Sequence, residues 1–446
     1  MNTYKDKKVL VAGLAKSGMS AIELLHRCGA VITATEKRSL DQIKELDYLR
    51  SLGVEVLPQT MEVFEGDYDL VVKNPAVPPV SKEVQRLKER GIPVITEIEL
   101  AYTLAKPQHY CAITGTNGKT TTTQLTYEIL HAFYGDKALV GGNIGTPLCQ
   151  LVLDHDLLHN EGNYISLEIS NHQLVDIDTF RPEASVILNL TPDHIATMGS
   201  LENYYRSKTL VYKNAGEEDI FLYNLDDPLI EEYTEKYPFR AKKVTFSLEK
   251  EADGCLKGEK LYLYGEELMP VSEVRIVGKH NLQNILVSSL LAYHMGVDRK
   301  TIRETVAAFQ GVEHRIEFVR ELDGVRYYND SKATNTDATI TALKAFDANV
   351  ILLVGGSDKG LSMDDVRKNM KCVKQVIGFG AAGKRLATDL DPSAPVIKDL
   401  LEAVKLAHEL SVPGDTVLLS PTTASFDQYS GYEERGRHFK KLVSEL

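Results

Sequence analysis

The stretch Tyr110-Cys111-Ala112-Ile113-Thr114-Gly115-Thr116-Asn117-Gly118-Lys119-Thr120-Thr121-Thr122 combines an apolar run, a glycine-containing turn, Gly-Lys-Thr and the start of a helix-compatible segment. This is the order of a phosphate-binding loop. Backbone N–H groups curl around phosphate oxygens, the helix aims its N-terminus at them, and a lysine adds a point charge. The Thr120 hydroxyl stands where a Mg²⁺ ligand is needed. Against the pattern G-x-x-x-x-G-K-[ST] the loop is two residues short, because Ile113 occupies the place of the first glycine. An ordinary strand–turn–helix connection would also be rich in Gly and Thr, but Gly-Lys-Thr between a strand and a helix favours the phosphate reading.

Other reactive side chains stand at the ends of apolar runs. Glu168 closes Tyr164-Ile165-Ser166-Leu167-Glu168, a place for a metal ligand or a water-orienting carboxylate. Asp193-His194 puts a carboxylate and an imidazole on a neighbouring loop. Lys208, in Tyr-Arg-Ser-Lys-Thr, reads on composition as a solvated helical lysine. Further along, Glu313-His314-Arg315 precedes Asp330-Ser331-Lys332, and an arginine there suits a transferring phosphoryl group. Gly356-Ser357-Asp358-Lys359 and Ser425-Phe426-Asp427 end two later strands. This inventory suits Mg²⁺-dependent phosphoryl transfer, which is mostly positioning and charge neutralisation.

The elements that must hold these groups are βα units. Val9–Ala12, a tight turn, a helix to about Cys28 and Val31–Thr35 form a Rossmann-like βαβ start. The turn Gly13-Leu14-Ala15-Lys16-Ser17-Gly18 has Ala15 where a dinucleotide pyrophosphate needs glycine, which speaks against an NAD site and a nicotinamide oxidoreductase. Glu36 remains a partner for ribose-like hydroxyls, and the proline-rich Lys73–Pro79 loop follows the strand at 69–72. A helix from Glu97 and the linker Lys106-Pro107 lead to the phosphate-loop domain, with strands at 138–143, 164–168 and 184–189. Residues 219–270 read as a subsidiary β region, followed by a helix from about Leu282 to Met295. Strands at 325–328, 350–354, 376–380 and 416–420 describe a third α/β domain. The expected boundaries are 1–97, 98–310 and 311–446.

At 446 residues, several domains are expected. The net charge of −12 argues against a nucleic-acid binder. Five scattered cysteines without C-x-x-C spacing suit reduced thiols in the cytoplasm. No apolar run approaches the ~20 residues of a membrane span, and the start of the chain lacks a signal-peptide pattern.

Gly115 through Thr121 resembles the shortened phosphate loop of the Mur ligases and the related folylpolyglutamate synthetases. Gly142-Asn143-Ile144-Gly145, Leu167-Glu168-Ile169-Ser170, Thr191-Pro192-Asp193-His194, His280-Asn281 with Asn284, His314-Arg315 and Asn329 through Asn335 resemble that superfamily in order and spacing. The tail, Ser420-Pro421 through Ser425-Phe426-Asp427 to Glu434-Arg435-Gly436, is similar to the branch that adds D-glutamate to UDP-N-acetylmuramoyl-L-alanine in peptidoglycan precursor synthesis. The resemblance implies α/β architecture in three domains: a Rossmann-like UDP-substrate domain, a P-loop ATPase-like central domain with a parallel sheet, and a Rossmann-like amino-acid domain. It implies an ATP-driven acyl phosphate, then attack by the amine of D-glutamate, in a cytoplasmic monomer.

It also implies roles for residues. Gly115, Thr116, Asn117, Gly118, Lys119, Thr120, Thr121, Asn281, Asn284, Arg315, Asp330 and Lys332 would serve ATP. Thr120, Glu168, His194 and Lys208 would hold two Mg²⁺ ions, with Lys208 carbamylated, which replaces the solvated reading of that lysine. Lys119, His194 and Lys208 would be catalytic. Asn143 and His314 would contact the muramoyl-alanine, and Lys16, Ser17, Thr35, Glu36 and Asn74 the UDP. Thr334, Lys359, Ser425 and Phe426 would take the glutamate. A sibling ligase that adds another amino acid, or glutamate to folate, and an ATPase switch without an acceptor, are the alternatives. Only the ligases require an amino-acid co-substrate.

Overall fold

The structure, a computed structural model, describes residues 4–192, 195–357, 360 and 362–446, with the side chains of 195 and 196 excepted. His194 and Lys359 of the expected site, with their neighbours Asp193 and Asp358, lie outside the described residues.

Three sheets succeed one another along the chain. The first comprises β1 (Lys8–Ala12), β2 (Val31–Glu36), β3 (Glu55–Pro58), β4 (Leu70–Lys73) and β5 (Val94–Thr96), in the order β3-β2-β1-β4-β5. All neighbours are parallel. The run Val9-Leu10-Val11-Ala12 is buried on both faces, as a central parallel strand must be. β3 is half exposed at the sheet edge and too short for its pattern to be read.

The second sheet holds β6 (His109–Thr114), β7 (Ala138–Gly142), β8 (Tyr164–Glu168), β9 (Ala184–Ile187), β10 (Ile220–Asn224), β11 (Lys242–Ser247), β12 (Gly254–Lys257), β13 (Lys260–Leu263) and β14 (Glu266–Pro270). Its order is β14-β13-β12-β11-β10-β9-β6-β8-β7. The subsidiary region expected at 219–270 is therefore part of this same sheet. β10 is a fully buried parallel strand beside β9, and a helix at Pro228–Lys236 carries the chain on to β11. The alternating pattern belongs only to the antiparallel β12–β13 hairpin and its continuation.

The third sheet comprises β15 (Glu317–Leu322), β16 (Val325–Asn329), β17 (Val350–Gly355), β18 (Val373–Phe379), β19 (Val396–Ile397) and β20 (Thr416–Thr422), ordered β15-β16-β20-β17-β18-β19. Only the edge pair β15–β16 is antiparallel. Leu352 and Leu418 face one apolar layer and Leu353 and Leu419 the other, so both faces are covered.

The chain divides into two compact units, one of Met1–Met269 with Gln283–Thr305 and one of Pro270–Leu282 with Val306–Leu446. Within the first unit, the first two sheets share one apolar cluster. Leu24 and Leu25 of the helix at Lys16–Arg27, Ile98 and Ala101 of Glu97–Leu104, and Leu148 and Val152 of Leu148–Asp154 meet there.

Two buried carboxylates sit in this joint. Glu97 accepts the Cys149 N–H at 3.0 Å, and burial pushes its carboxyl up to about 7. Glu99 accepts N–H groups from Asp178, Thr179 and Phe180 at 3.0, 2.8 and 3.0 Å. These amides belong to an irregular segment that has no sheet ladder to satisfy them. Glu99→Ala orphans the buried Phe180 N–H and two part-buried ones, and should destabilise the unit by roughly 3 kcal/mol. A thermal midpoint unchanged from that of the wild type would refute this.

Candidate active site

The phosphate loop begins where β6 ends. Ile113 is a core residue of that strand, registered between Glu168 and Val186. The first loop glycine is Gly115, at φ 144°. A Cβ there would lie 2.9 Å from Leu188 Cβ and 3.1 Å from its backbone nitrogen. Gly118 begins the Lys119–Tyr134 helix in the left-handed region at φ 84°, where a Cβ would fall 2.5 Å from Asn284 Oδ1. The shortened spacing thus has a packing cause: the strand runs on through Ile113, and the loop must pass closely beneath residues 188–189.

The segment after β9 fastens the loop. The Thr116 N–H donates to the Asn189 carbonyl and the Asn117 N–H to Asn189 Oδ1, at 3.0 and 2.9 Å. Asn189 Nδ2 returns a bond to the Asn117 carbonyl. The Thr116 hydroxyl donates to the Thr191 carbonyl and accepts from the Thr191 N–H and the Tyr204 hydroxyl. The sequence reading missed Asn189, Thr191 and Tyr204 as loop supports, because nothing in their spacing distinguishes them from strand-end polar residues.

Two ammonium groups converge on one oxygen. Lys119 Nζ donates to the carbonyls of Gly115 and Thr116, each at 2.9 Å, and Lys208 Nζ donates to the same Gly115 carbonyl at 2.9 Å. Lys208 is only 1% exposed and its nitrogen stands 4.7 Å from the centre of the Tyr204 ring. The composition reading of Lys208 as solvated is therefore wrong. The Leu201–Thr209 helix buries Tyr204, Tyr205, Ser207 and Lys208 together, a polar and aromatic face that aliphatic periodicity does not reveal. Two like charges held this close, beside loop amides and a helix N-terminus, make a site for a multiply charged anion.

Glu168 ends β8 next to the loop. It is buried; its Oε1 accepts from Asn143 Nδ2 at 2.9 Å, and its Oε2 has no hydrogen-bond partner among the described residues. The Asn143 N–H binds the Glu168 carbonyl at 2.8 Å, so the β7 and β8 ends are tied twice. An orphaned buried carboxylate oxygen fits a hard cation with oxygen ligands. The Thr122 hydroxyl bonds to Asn284 Oδ1 at 3.2 Å, which brings Asn284 to the loop helix.

The first sheet presents a second rim. Thr35 is buried and its hydroxyl has no partner among the described residues, while Lys16 is exposed and Ser17 half-buried at the start of their helix. Glu36 is already engaged. Its carboxylate accepts from the N–H groups of Leu14, Lys37 and Arg38 and from the Arg38 guanidinium. Burial alone would raise it, but these bonds, that of the Arg38 side chain first, hold it below the usual range. Asn74 Oδ1 accepts the Ala76 N–H and shapes the loop after β4.

In the second unit, the ends of β16, β17 and β20 are joined by Arg435, which the sequence reading used only as part of a motif. Its fully buried guanidinium donates to the Ser331 hydroxyl and carbonyl, to the Thr423 carbonyl and to the Gly355 carbonyl, at 3.0, 2.9, 3.1 and 3.5 Å. Asp330 accepts from the Ser420 hydroxyl and the Ile316 N–H. Lys332 stands over the Tyr432 ring, and Asn281 donates to the Val277 carbonyl. Thr334 is half-buried and Arg315 exposed.

His314, at φ 65°, is buried against Gly436, where an added Cβ would lie 2.2 Å from Nδ1. Its Nδ1 accepts from the Asn329 amide at 2.9 Å, which leaves the Nε2 proton buried without a partner among the described residues. Burial lowers its pKa against the pull of Glu313 and Glu317. Ser425 is buried with an unpartnered hydroxyl among the described residues, whereas Phe426 is 74% exposed. Thr422, just before them, is a buried β-branched residue at φ 70°, a strained conformation for such a side chain.

Burial raises the Asp330 carboxyl from the usual 3.8 to about 7, against the Ser420 and Ile316 hydrogen bonds and the nearby Arg315 and Arg435. The folded state therefore keeps a proton that the unfolded chain has lost, and the group's contribution to stability declines as pH rises from about 4 to about 7 and then levels. Asp330→Asn should remove that decline. Denaturant titrations of both forms across this range should show a difference that grows toward neutrality; a constant difference would contradict it.

The Mur ligase middle domain model matches residues 113–292, and the Mur ligase glutamate ligase domain model matches residues 314–423. UDP-N-acetylmuramoylalanine--D-glutamate ligase of Geobacillus sp. (strain WCH70) is 39% identical over 453 residues, 99% of this chain and 98% of that protein. The protein of the same name from Caldanaerobacter subterraneus subsp. tengcongensis is 40% identical over 456 residues, 99% of each chain. In fold, the chain is similar to the crystal structure of MurF ligase from Thermotoga maritima in complex with ADP, with a TM-score of 0.55 at 18% identity, covering 100% of this chain and 97% of that one.

Proposed function

The chain belongs to the Mur ligase family, and on that premise we propose that it joins UDP-N-acetylmuramoyl-L-alanine to D-glutamate while converting ATP to ADP and phosphate. The observation that carries this reading is the pair of ammonium groups on the Gly115 carbonyl beside the buried, half-satisfied carboxylate of Glu168. Full-length identity to relatives that bear the name of this activity supports the choice of substrates.

In this reading, the amides of Gly115 to Thr121 and the Lys119 ammonium hold the transferring phosphoryl group of ATP. A carboxylate oxygen of the muramoyl-alanine attacks the γ-phosphorus and ADP leaves. The amine of D-glutamate then attacks the acyl carbon, loses a proton, and phosphate departs with the carboxylate oxygen it received. Thr120, Glu168, His194 and a carbamylated Lys208 would hold Mg²⁺ at two sites, and the ions would neutralise phosphate charge. Carbamylation would turn the Lys208 cation into an anion that can coordinate a metal, which an ammonium cannot do.

The remaining roles follow the resemblance. Asn143 and His314 serve the muramoyl-alanine, and Lys16, Ser17, Thr35, Glu36 and Asn74 the UDP. Asn281, Asn284, Arg315, Asp330 and Lys332 serve ATP; Thr334, Lys359, Ser425 and Phe426 serve glutamate. No helix among the described residues is long and apolar enough to cross a membrane. The reading places a monomer in the cytoplasm, acting on small molecules without nucleic acid or membrane.

Coupled ADP release should require both UDP-N-acetylmuramoyl-L-alanine and D-glutamate, and omission of either should abolish it. Equal turnover with L-lysine or L-glutamate would refute the assignment. Lys208→Ala should lose most activity and recover part of it with added short-chain carboxylates. A fully active Lys208→Ala enzyme would end the carbamate proposal.

A further inference from the structure

The loop after β4 is anchored from beneath by a buried charge. Lys73 is the last residue of that strand, directly before Asn74, and its side chain is fully buried. Its Nζ lies 3.1 Å from Asp176 Oδ2 and 3.4 Å from the His172 carbonyl, which accepts from it. Asp176 is itself buried, and its other oxygen is held by Lys88 at 2.8 Å; Lys88 is 41% exposed.

Both partners of Lys73 lie just beyond β8. The helix at Asn171–Leu174 begins three residues after Glu168, and Asp176 follows that helix. The His172 ring is in turn bonded to the Thr197 hydroxyl at 3.0 Å. A single ammonium therefore connects the first sheet's ligand rim to the segment that leaves Glu168. Nearby, the Thr96 hydroxyl donates to the Gln173 carbonyl at 3.2 Å, a second bond across the same seam.

Burying a lysine is costly unless its charge is compensated, and the apolar cluster already joins the two sheets without it. A methionine would fill the same volume without that cost. The ion pair therefore does something that packing does not. It fixes direction and register, because the ammonium must meet one carboxylate and one carbonyl at once.

Resting on the proposed reaction, we infer that Lys73, held by Asp176, is a positioning residue for the acceptor substrate. It sets the separation between the Asn74 loop, which takes the nucleotide end, and the Glu168 strand end, where the acceptor carboxylate reacts. A substrate that spans two sheets reacts only if both rims are held at its own length, and small misplacement is costly in rate.

The test compares Lys73→Met and Asp176→Asn with the wild type and with Lys88→Met. In Lys73→Met the Asp176 carboxylate keeps Lys88, so the chain retains a paired charge and folds; Asp176→Asn probes the same link from the other side. Both variants should lower kcat/KM for UDP-N-acetylmuramoyl-L-alanine by roughly ten- to a hundredfold, while KM for ATP changes by less than about twofold. Lys88→Met should leave both within about twofold. Hydrogen exchange of the ligand-free proteins should rise in residues 74–80 and 171–177 of the first two variants and not elsewhere.

Unchanged kinetics, equal losses for ATP and the UDP substrate, or exchange raised throughout the unit would overturn the inference. A wild type that releases ADP without needing D-glutamate would instead overturn the proposed reaction. The exchange measurement, which needs no substrate, then decides the Lys73 link by itself.

Discussion

Two ammonium groups on the carbonyl of Gly115 are the contact around which the first unit is arranged. Neither lysine reaches that oxygen by local sequence alone. Lys119 arrives because Gly118 turns the chain into a helix, and Lys208 because a helix from beyond β9 buries its tyrosine face against the loop. In the proposed reaction, Lys119 would hold the transferring phosphoryl group and Lys208, once carbamylated, a Mg²⁺ ion.

The rest of the unit keeps that contact in place. Asn189 and Thr191 hold the loop from one side, Asn284 from the helix side, and Glu168 closes the neighbouring strand end with its own tie to Asn143. The joint to the first sheet combines an apolar cluster with buried carboxylates at Glu97, Glu99 and Asp176. Polar contacts at fixed geometry thus lie within a joint that is otherwise apolar. In the second unit Arg435 plays a comparable part, tying three strand ends through carbonyls and a hydroxyl.

Much of this was legible in the chain. The central strands, such as Val9–Ala12 and Val350–Val354, are buried apolar runs, and parallel strands of that kind announce themselves. The phosphate loop was legible too, though its shortness was not explained until Ile113 proved to be a core residue. Residues 219–270 are not legible as part of the central sheet, since β10 and β11 are short and separated by a helix, and only the hairpin after them alternates. Lys208 was misread on composition because burial of a lysine beside tyrosines leaves no aliphatic trace. Arg435, Tyr204 and Lys73 act through contacts far away in sequence, which spacing cannot convey.

The central claim is that the loop aims the terminal phosphoryl group of ATP at a carboxylate. Acceptor labelled with ¹⁸O in that carboxylate, turned over with ATP and D-glutamate, tests it directly when the released phosphate is examined by ³¹P NMR. The account predicts that each phosphate carries one labelled oxygen from the acceptor. Phosphate free of label, with amide product formed, would contradict it.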